Sequence, residues 1–240
     1  MKKLSLVLAT AIFGTGLIAE DISPFEKAGI STSANVAITS HYIWRGNSEG
    51  WMTNGIGKGN ESDSKLAIQG GFDFEHESGV YVGTWISNVY LGVEHDLYVG
   101  FSNDIGDTGV SYDVGYIQYL YPSHDDADFA EGYLGLSYSI AGVDLGVIGY
   151  QDFENETLYA EGSIGYDLGM AAISATAGSY VVENYDEASG GGYHGSNFTA
   201  TVAVPVDKFE VALTGYSYVG DKNDDNDDSG VIITVSASIE

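Results

Sequence analysis

Short segments of strictly alternating polarity run through most of this 240-residue chain and constrain its fold more than any other feature. In the last segment, Val231, Ile233 and Val235 alternate with Thr234 and Ser236. Successive side chains of a β-strand point to opposite faces, so each segment presents one apolar face and one polar face. The 3.6-residue period of an amphipathic helix is absent from these segments. The pattern predicts an all-β protein.

Turn residues divide the alternating segments into about twelve strands of roughly ten residues each. The predicted strands are 34–45, 66–75, 80–90, 94–102, 109–121, 129–140, 143–152, 157–168, 171–182, 196–206, 209–219 and 231–239. Long and short connections alternate, except after Tyr90, where a short connection replaces the long one that is due. This arrangement is typical of a transmembrane antiparallel up-and-down β-barrel with short turns at one rim. A soluble β-sandwich also alternates in polarity.

The amino terminus favours the barrel over the sandwich. A basic Met1–Lys3 segment precedes an uncharged run over Leu4–Ala19, which is the order of a secretory signal peptide. We expect residues 1–19 to be a signal peptide, 20–33 an N-terminal leader and 34–240 the barrel. Such a chain is exported across the inner membrane and inserted in the outer membrane of a Gram-negative cell. Its expected partners are outer-membrane lipid, lipopolysaccharide and the barrel-assembly machinery.

Charge and composition exclude several other classes of function. The 35 acidic residues against 8 basic ones give a net charge of -27, which phosphate backbones repel, so we expect no nucleic-acid partner. The absence of cysteine excludes disulfides, thiolate nucleophiles and Fe–S clusters. The acidic run 221–228 lacks the spacing of an EF-hand, and the acidic residues around His124 fit a solvated loop. We therefore expect no metal and no cofactor.

An enzymatic barrel would need a nucleophile beside a base. Ser40 and His41 are adjacent, but strict strand alternation predicts that they point to opposite faces. No Gly-x-Ser-x-Gly elbow suits a barrel wall. The sequence therefore predicts that the protein is not an enzyme, and a barrel enzyme is the least favoured alternative.

Five short motifs occur in order along the chain. They are Ser40-x-Tyr42-x-x-Arg45-Gly46-x-Ser48, Gly79-x-Tyr81-x-Gly83-Thr84-Trp85-x-Ser87-Asn88, Glu94-x-Asp96-x-Tyr98-x-Gly100, Tyr112-Asp113-x-Gly115 leading to Tyr119-x-Tyr121-Pro122, and Glu131-x-Tyr133. Together they resemble the TorF family of bacterial outer-membrane proteins, which are described as porins of no established substrate. The resemblance covers most of the exported chain and implies a porin-type barrel with no catalytic residues to carry over.

If the apolar positions face lipid, the polar positions face the lumen. The predicted pore-lining residues are Arg45, Asp73, Glu75, Glu94, Asp96, Asp113, Glu131, Asp144, Glu161 and Glu210. Confined carboxylates attract cations and repel anions. The sequence thus predicts a porin with a narrow, acidic, cation-favouring lumen for passive diffusion of small solutes, whose conductance falls in acid. A non-conducting structural or adhesin-type outer-membrane barrel is the alternative.

Three features bear on how open such a lumen is. Arg45, the only arginine of the chain, either braces the wall by pairing with Asp73 or Asp96 or forms a constriction that contacts solutes. Tyr81 and Trp85 share one face and either narrow the lumen or pack on the wall. The glycine-rich segment 47–64 either folds over the mouth or stays an exposed loop.

Aromatic residues cluster near the ends of the predicted strands. They are Tyr42, Trp44, Tyr90, Tyr119, Tyr121 and Tyr218. Amphipathic rings prefer the interface between a bilayer and water, which favours the membrane barrel, but a tyrosine-rich β-core also places rings near strand ends.

Overall fold

Twelve long strands form one closed antiparallel barrel in the computed structural model, which confirms the all-β barrel predicted from the sequence. The structure describes residues 24–48, 66–89, 92–182, 184–186, 191–193, 195–220 and 227–239. The expected signal peptide, most of the segment 47–64 and the run 221–226 lie outside these residues.

Consecutive barrel strands pair with one another, and the last strand closes on the first. The barrel strands are β1 (Ile30–Thr39), β4 (Ala67–His76), β5 (Val80–Val89), β6 (Gly92–Asp104), β7 (Val110–Leu120), β8 (Phe129–Ile140), β9 (Val143–Asp152), β10 (Thr157–Asp167), β11 (Ala172–Val182), β14 (Ser196–Val206), β15 (Phe209–Val219) and β16 (Asp228–Ile239). Two small hairpins are β2 (Ile43–Trp44) with β3 (Asn47–Ser48) and β12 (Asn184–Asp186) with β13 (Gly191–Tyr193). Closure pairs β1 with β16, where Thr39 lies opposite Thr234.

Among the described residues, helical structure is limited to short pieces. A four-residue helix α1 (Pro24–Lys27) precedes the barrel, and a 3₁₀ turn spans Asp125–Ala127. In the described part of the chain, no helix has the length and apolar composition that crossing a bilayer requires.

The two ends of the barrel differ in the length of their connections. One end carries tight turns, such as Glu77–Gly79 between β4 and β5 and the two-residue turn Ala141–Gly142 between β8 and β9. The other end carries the long connection from β1 to β4 and the loops that precede β8, β14 and β16. Between β5 and β6 only residues 90 and 91 intervene, as the short connection after Tyr90 predicts.

Alternation along each strand separates an apolar outside from a polar inside. In β16, Ile233 is 54% exposed, whereas Thr234 is 8% exposed. In β4, Phe72 is 61% exposed, whereas Asp73 between it and Phe74 points inward to hydrogen-bonding partners. The outer surface is therefore apolar around the barrel, which is the reverse of a soluble protein and suits contact with hydrocarbon.

The first strand is the one whose predicted bounds differ most from the structure. It was expected over 34–45 but runs over Ile30–Thr39, after which the chain leaves the wall. Arg45 and Gly46 have φ values of 48° and 77°, so they form the tight two-residue turn that joins β2 to β3. Because Tyr42 and Trp44 stay in phase with Val36 and Ile38, the sequence gives no sign that the first strand ends before them.

Candidate pore lumen and its constriction

All nine acidic residues predicted to line a pore occupy interior positions of the barrel wall, since exposed apolar residues alternate with them. Glu94, Asp96, Asp113 and Glu131 are each at most 3% exposed. The half-buried ones are Asp73, Glu75, Asp144, Glu161 and Glu210. Nearly inaccessible carboxylates are costly unless they are hydrogen-bonded or paired with a cation, so their partners define how the lumen is organised.

The small hairpin β2–β3 turns into the lumen, and we call residues 42–48 the inner hairpin. On one side, the hydroxyl of Tyr42 donates to Glu94 Oε1 at 2.9 Å on β6. On another side, Gly46 lies against Asn197 of β14, and a Cβ at Gly46 would approach the main-chain oxygen of Ser217 to 3.1 Å. The inner hairpin therefore crosses the lumen near the end with the long connections.

Arg45 lies at the tip of the inner hairpin and is held by a buried ion pair. Its Nη2 donates to both carboxylate oxygens of Glu131, at 2.8 and 2.7 Å, and its Nη1 donates to the hydroxyl of Tyr180 at 3.0 Å. The expected pairing with Asp73 or Asp96 is therefore wrong. The tight turn carries the guanidinium away from β1 and across to β8, which a continuous first strand could not do.

Aromatic rings surround the guanidinium of Arg45. Its Cζ lies 4.2 Å from the ring centroids of both Trp44 and Tyr159, 5.0 Å from that of Tyr150 and 5.6 Å from that of Tyr180. The negative faces of such rings attract cations, most strongly where water is excluded. The carboxylate and the rings together enclose the planar guanidinium.

The neighbouring carboxylates differ in how well they are satisfied. Glu94 accepts hydrogen bonds from the hydroxyls of Tyr42 and Tyr121, at 2.9 and 2.8 Å. Asp96, which is 2% exposed, has an Oδ1 atom for which the described residues supply no donor. In register, Asp96 lies between Trp85 of β5 and Tyr119 of β7. The Oδ1 atom of Asp96 is therefore a buried acceptor that lacks a hydrogen-bond donor among the described residues.

A second layer of tyrosines and carboxylates lies further toward the end with the tight turns. The hydroxyl of Tyr81 donates to Asp113 Oδ1 at 2.5 Å and also contacts the hydroxyl of Tyr133. The hydroxyl of Tyr98 donates to Asp73. Tyr81 thus packs along the wall, whereas the ring of Trp85 lies 6.1 Å from that of Tyr42 in the inner hairpin.

Interior tyrosines lie flat against glycines on the next strand, a relation that sequence analysis missed. Tyr98 lies opposite Gly83, Tyr81 opposite Gly100, Tyr133 opposite Gly115 and Tyr216 opposite Gly230. A Cβ at any of these glycines would collide with the facing ring. The pairing gives four of the glycines within strands a structural role. The matching of Tyr-x-Gly motifs across adjacent strands was the signal that could have revealed it.

Among the described residues, the aromatic rings near the strand ends belong to a tyrosine-rich interior, and the expected place at the bilayer interface is wrong for them. Tyr42, Tyr119, Tyr121 and Tyr218 are at most 7% exposed and lie inside the barrel, and Trp44 belongs to the inner hairpin. Tyr90 lies outside the described residues. Three of these inward rings satisfy buried carboxylates: Tyr42 and Tyr121 donate to Glu94, and Tyr119 donates to Glu131 Oε2 at 3.1 Å.

The part of the wall formed by β11, β14, β15, β16 and β1 has a different lining. Its threonine hydroxyls pair across strands, with Thr176–Thr199 at 2.9 Å and Thr201–Thr214 at 2.8 Å. These four threonines are half-buried. We call this part the threonine wall; Tyr180 of β11 and Tyr216 and Tyr218 of β15 also point inward from it.

Ser40 and His41 are in contact, contrary to the expectation from strand alternation. Ser40 Oγ lies 3.4 Å from His41 Nδ1, and His41 Nε2 lies 3.2 Å from the hydroxyl of Tyr216. Both residues follow the end of β1, so strand alternation no longer applies. Burial lowers the pKa of His41, against the opposing field of Asp228. Ser40 Oγ also accepts the N–H of Ile233 at 3.2 Å, which ties this segment to β16.

Within the described ranges, no group of three or more histidine or acidic side chains is placed to hold a metal ion.

Comparisons with solved structures show which proteins share this barrel. It is similar to KdgM porin (TM-score 0.58, 8% identity, 87% of this chain and 98% of that chain) and to NanC porin (TM-score 0.53, 9% identity, 88% and 100%). A third similar structure is the outer membrane phospholipase of Salmonella typhi, a dimer with bound calcium (TM-score 0.50, 15% identity, 87% and 90%). At these identities the likeness shows the fold alone, and this fold serves both porins and an enzyme.

Sequence comparison identifies the family. A search of curated protein sequences finds no match. Residues 23–188 match the model of a family described as "Bacterial protein of unknown function (Gcw_chp)". Because the match covers more than half of the chain, the protein belongs to this bacterial family.

Proposed function

We propose that this protein is an outer-membrane porin with a narrow, acidic, cation-favouring lumen for passive diffusion of small solutes. The observation that carries the proposal is the charge inside the closed barrel. At least nine acidic side chains point inward, and Arg45 is the only guanidinium available to offset them. Low-dielectric walls concentrate the field of such charges, so cations gather in the lumen and anions are repelled.

An outer-membrane location is supported by the outside of the barrel. Strands of about ten residues with an apolar outer face match the thickness of a bilayer core when they are tilted. The basic and apolar amino terminus fits export across the inner membrane. The similarity in fold to two porins agrees with this location.

A water-filled path is supported by the threonine wall. Thr176, Thr199, Thr201 and Thr214 are half-buried although they point away from lipid, so space remains beside them. Barrels of eight strands are filled by side chains, whereas those of 16 to 18 strands hold open channels. A twelve-strand barrel with small side chains on one part of its wall fits a narrow pore.

Selectivity provides the direct test. In a planar bilayer with a salt gradient, we expect discrete conductance steps and a reversal potential that indicates preference for cations. Neutralising two half-buried interior carboxylates, with Asp144→Asn and Glu161→Gln together, should reduce this preference because fewer fixed charges remain. The matched control is Asp107→Asn in the exposed turn between β6 and β7, which should leave the reversal potential unchanged. Preference for anions in the unaltered protein would refute the proposal.

Acid provides an independent test of the same charges. Carboxylates have pKa values near 4 in model peptides and lose their negative charge as the pH falls through the pKa. We therefore expect both the cation preference and the conductance to the favoured ion to decline in acid, and to recover on return to neutral pH. The measurement is the reversal potential recorded at successive pH values. A selectivity that stays constant down to about pH 3 would exclude these carboxylates as its source.

A non-conducting structural barrel is the second candidate, and the inner hairpin favours it. Residues 42–46 touch β6, β8, β11 and β14 and so obstruct the lumen at one level. This candidate would be supported over the porin if the folded protein gives no conductance steps, both unaltered and with Arg45 replaced.

A further inference from the structure

Buried carboxyl groups outnumber the guanidinium around the inner hairpin. Glu94, Asp96 and Glu131 are each at most 2% exposed, and Arg45 is the single guanidinium among them. Glu131 is satisfied by Arg45 and Tyr119, and Glu94 by two tyrosine hydroxyls. The open Oδ1 atom of Asp96 therefore marks a place where one more donor or cation would be stabilised.

The groups that hold the guanidinium belong mainly to the wall. Glu131, Tyr150, Tyr159 and Tyr180 lie on β8, β9, β10 and β11, which are consecutive strands of the barrel. We call these four residues the cation arc. Around this arc, the inner hairpin supplies only the guanidinium itself and the ring of Trp44. The site would thus survive removal of the Arg45 side chain.

The chemistry of the cation arc selects a planar organic cation. A carboxylate that accepts from a guanidinium through both oxygens gives directional recognition, and flanking rings add attraction that a neutral molecule lacks. A hydrated metal ion would not use ring faces in this way, and the described residues contain no group placed for a metal.

We propose that the cation arc, with Asp96 beside it, binds the guanidinium group of a permeating solute, and that Arg45 is a tethered competitor for the same site. This inference rests on the proposed function, because the solute must enter the lumen. Binding of such a solute to Glu131 replaces the contact that holds the inner hairpin across the lumen. The favoured cargo is then a small solute that carries a guanidinium group.

The test uses channels in which Arg45 has been replaced by alanine, recorded in planar bilayers in potassium chloride. Guanidinium chloride is the probe, urea is its neutral planar counterpart, and ammonium chloride is the non-planar cation. We expect guanidinium to block the potassium current at a concentration at least about tenfold below that of ammonium, and urea to have no effect. Adding Glu131→Gln should raise the blocking concentration at least about tenfold, since a charged hydrogen-bonding partner is lost. Adding Asp107→Asn at the exposed rim should not change it.

The unaltered protein supplies the second readout. In the unaltered protein, we expect a low concentration of guanidinium to raise the fraction of time that the channel spends in its conducting state, because guanidinium competes with Arg45 for Glu131. If Arg45→Ala does not fold, Arg45→Gln serves in its place, since glutamine can still hydrogen-bond to Glu131 without a charge. If guanidinium changes the current no more than urea does, the inference is overturned and the proposed channel remains intact. Absence of current in all variants would instead remove the proposed function itself.

Discussion

Replacing Arg45 by alanine is expected to destabilise the barrel by about 3 kcal/mol and to raise its single-channel conductance. The loss of stability arises because Glu131, whose side chain is 2% exposed, is left as an uncompensated buried carboxylate. Entry of water into the lumen limits the cost to the lower end of the range for broken buried pairs. The gain in conductance follows because the guanidinium no longer ties the inner hairpin to β8. Urea unfolding in detergent, followed by tryptophan fluorescence, measures the first effect, and planar-bilayer recording measures the second.

A double-mutant cycle isolates the ion pair from other effects of the substitution. Glu131→Gln alone should also be destabilising, but the double variant should be more stable than the sum of the two losses predicts. Lys208→Ala, in the exposed turn between β14 and β15, is the control for loss of a positive charge. If the losses of stability in the cycle are additive, or if the conductance of Arg45→Ala is unchanged, the ion pair does not hold the inner hairpin.

Replacing Gly100 by alanine is expected to cost about 1–3 kcal/mol although it adds a single methyl group. The new Cβ would overlap the ring and hydroxyl of Tyr81 and lie 2.9 Å from the hydroxyl of Tyr133. Tyr81 would have to leave the wall and give up its hydrogen bond to Asp113, so a buried carboxylate would also lose its donor. The displaced ring would enter the lumen, and conductance should fall together with stability.

Gly215→Ala provides the matched control for this substitution. Gly215 also lies within a barrel strand, but a Cβ there would meet no atom within 4 Å. Combining Gly100→Ala with Tyr81→Ala should restore the conductance, because the colliding ring is removed. Equal unfolding midpoints for Gly100→Ala and Gly215→Ala would contradict the role assigned to tyrosine–glycine packing.

Much of the barrel follows from the sequence because strand alternation is a local property. The polarity of Phe72, Asp73 and Phe74 alone is enough to assign each to the outer or inner face, whatever the rest of the chain does. The same reasoning placed the other eight acidic residues in the interior. It failed at the end of the first strand, where Ser40 and His41 no longer follow the alternation.

The aromatic residues show a different limit of sequence reasoning. Tyr119 and Tyr121 lie near a strand end, and position along a strand predicts a place at the bilayer interface. Strand alternation puts Tyr119 on the same face as Asp113, which points inward, so its side of the wall could be read from the sequence. The carboxylate that each hydroxyl meets, such as Glu94 for Tyr121, is decided only when distant strands are brought together.

The sequence by itself determined the strand number, the apolar outside and the acidic inside, since each is encoded by neighbouring residues in a repeat of two. Only the tertiary structure decided that Arg45 meets Glu131, 86 residues away. A positive φ at Arg45 turns the chain into the lumen, and an ion pair between remote strands depends on the closure of the whole barrel. The obstruction of the lumen by the inner hairpin therefore depends on barrel closure, whereas the wall follows from the local alternation of polarity.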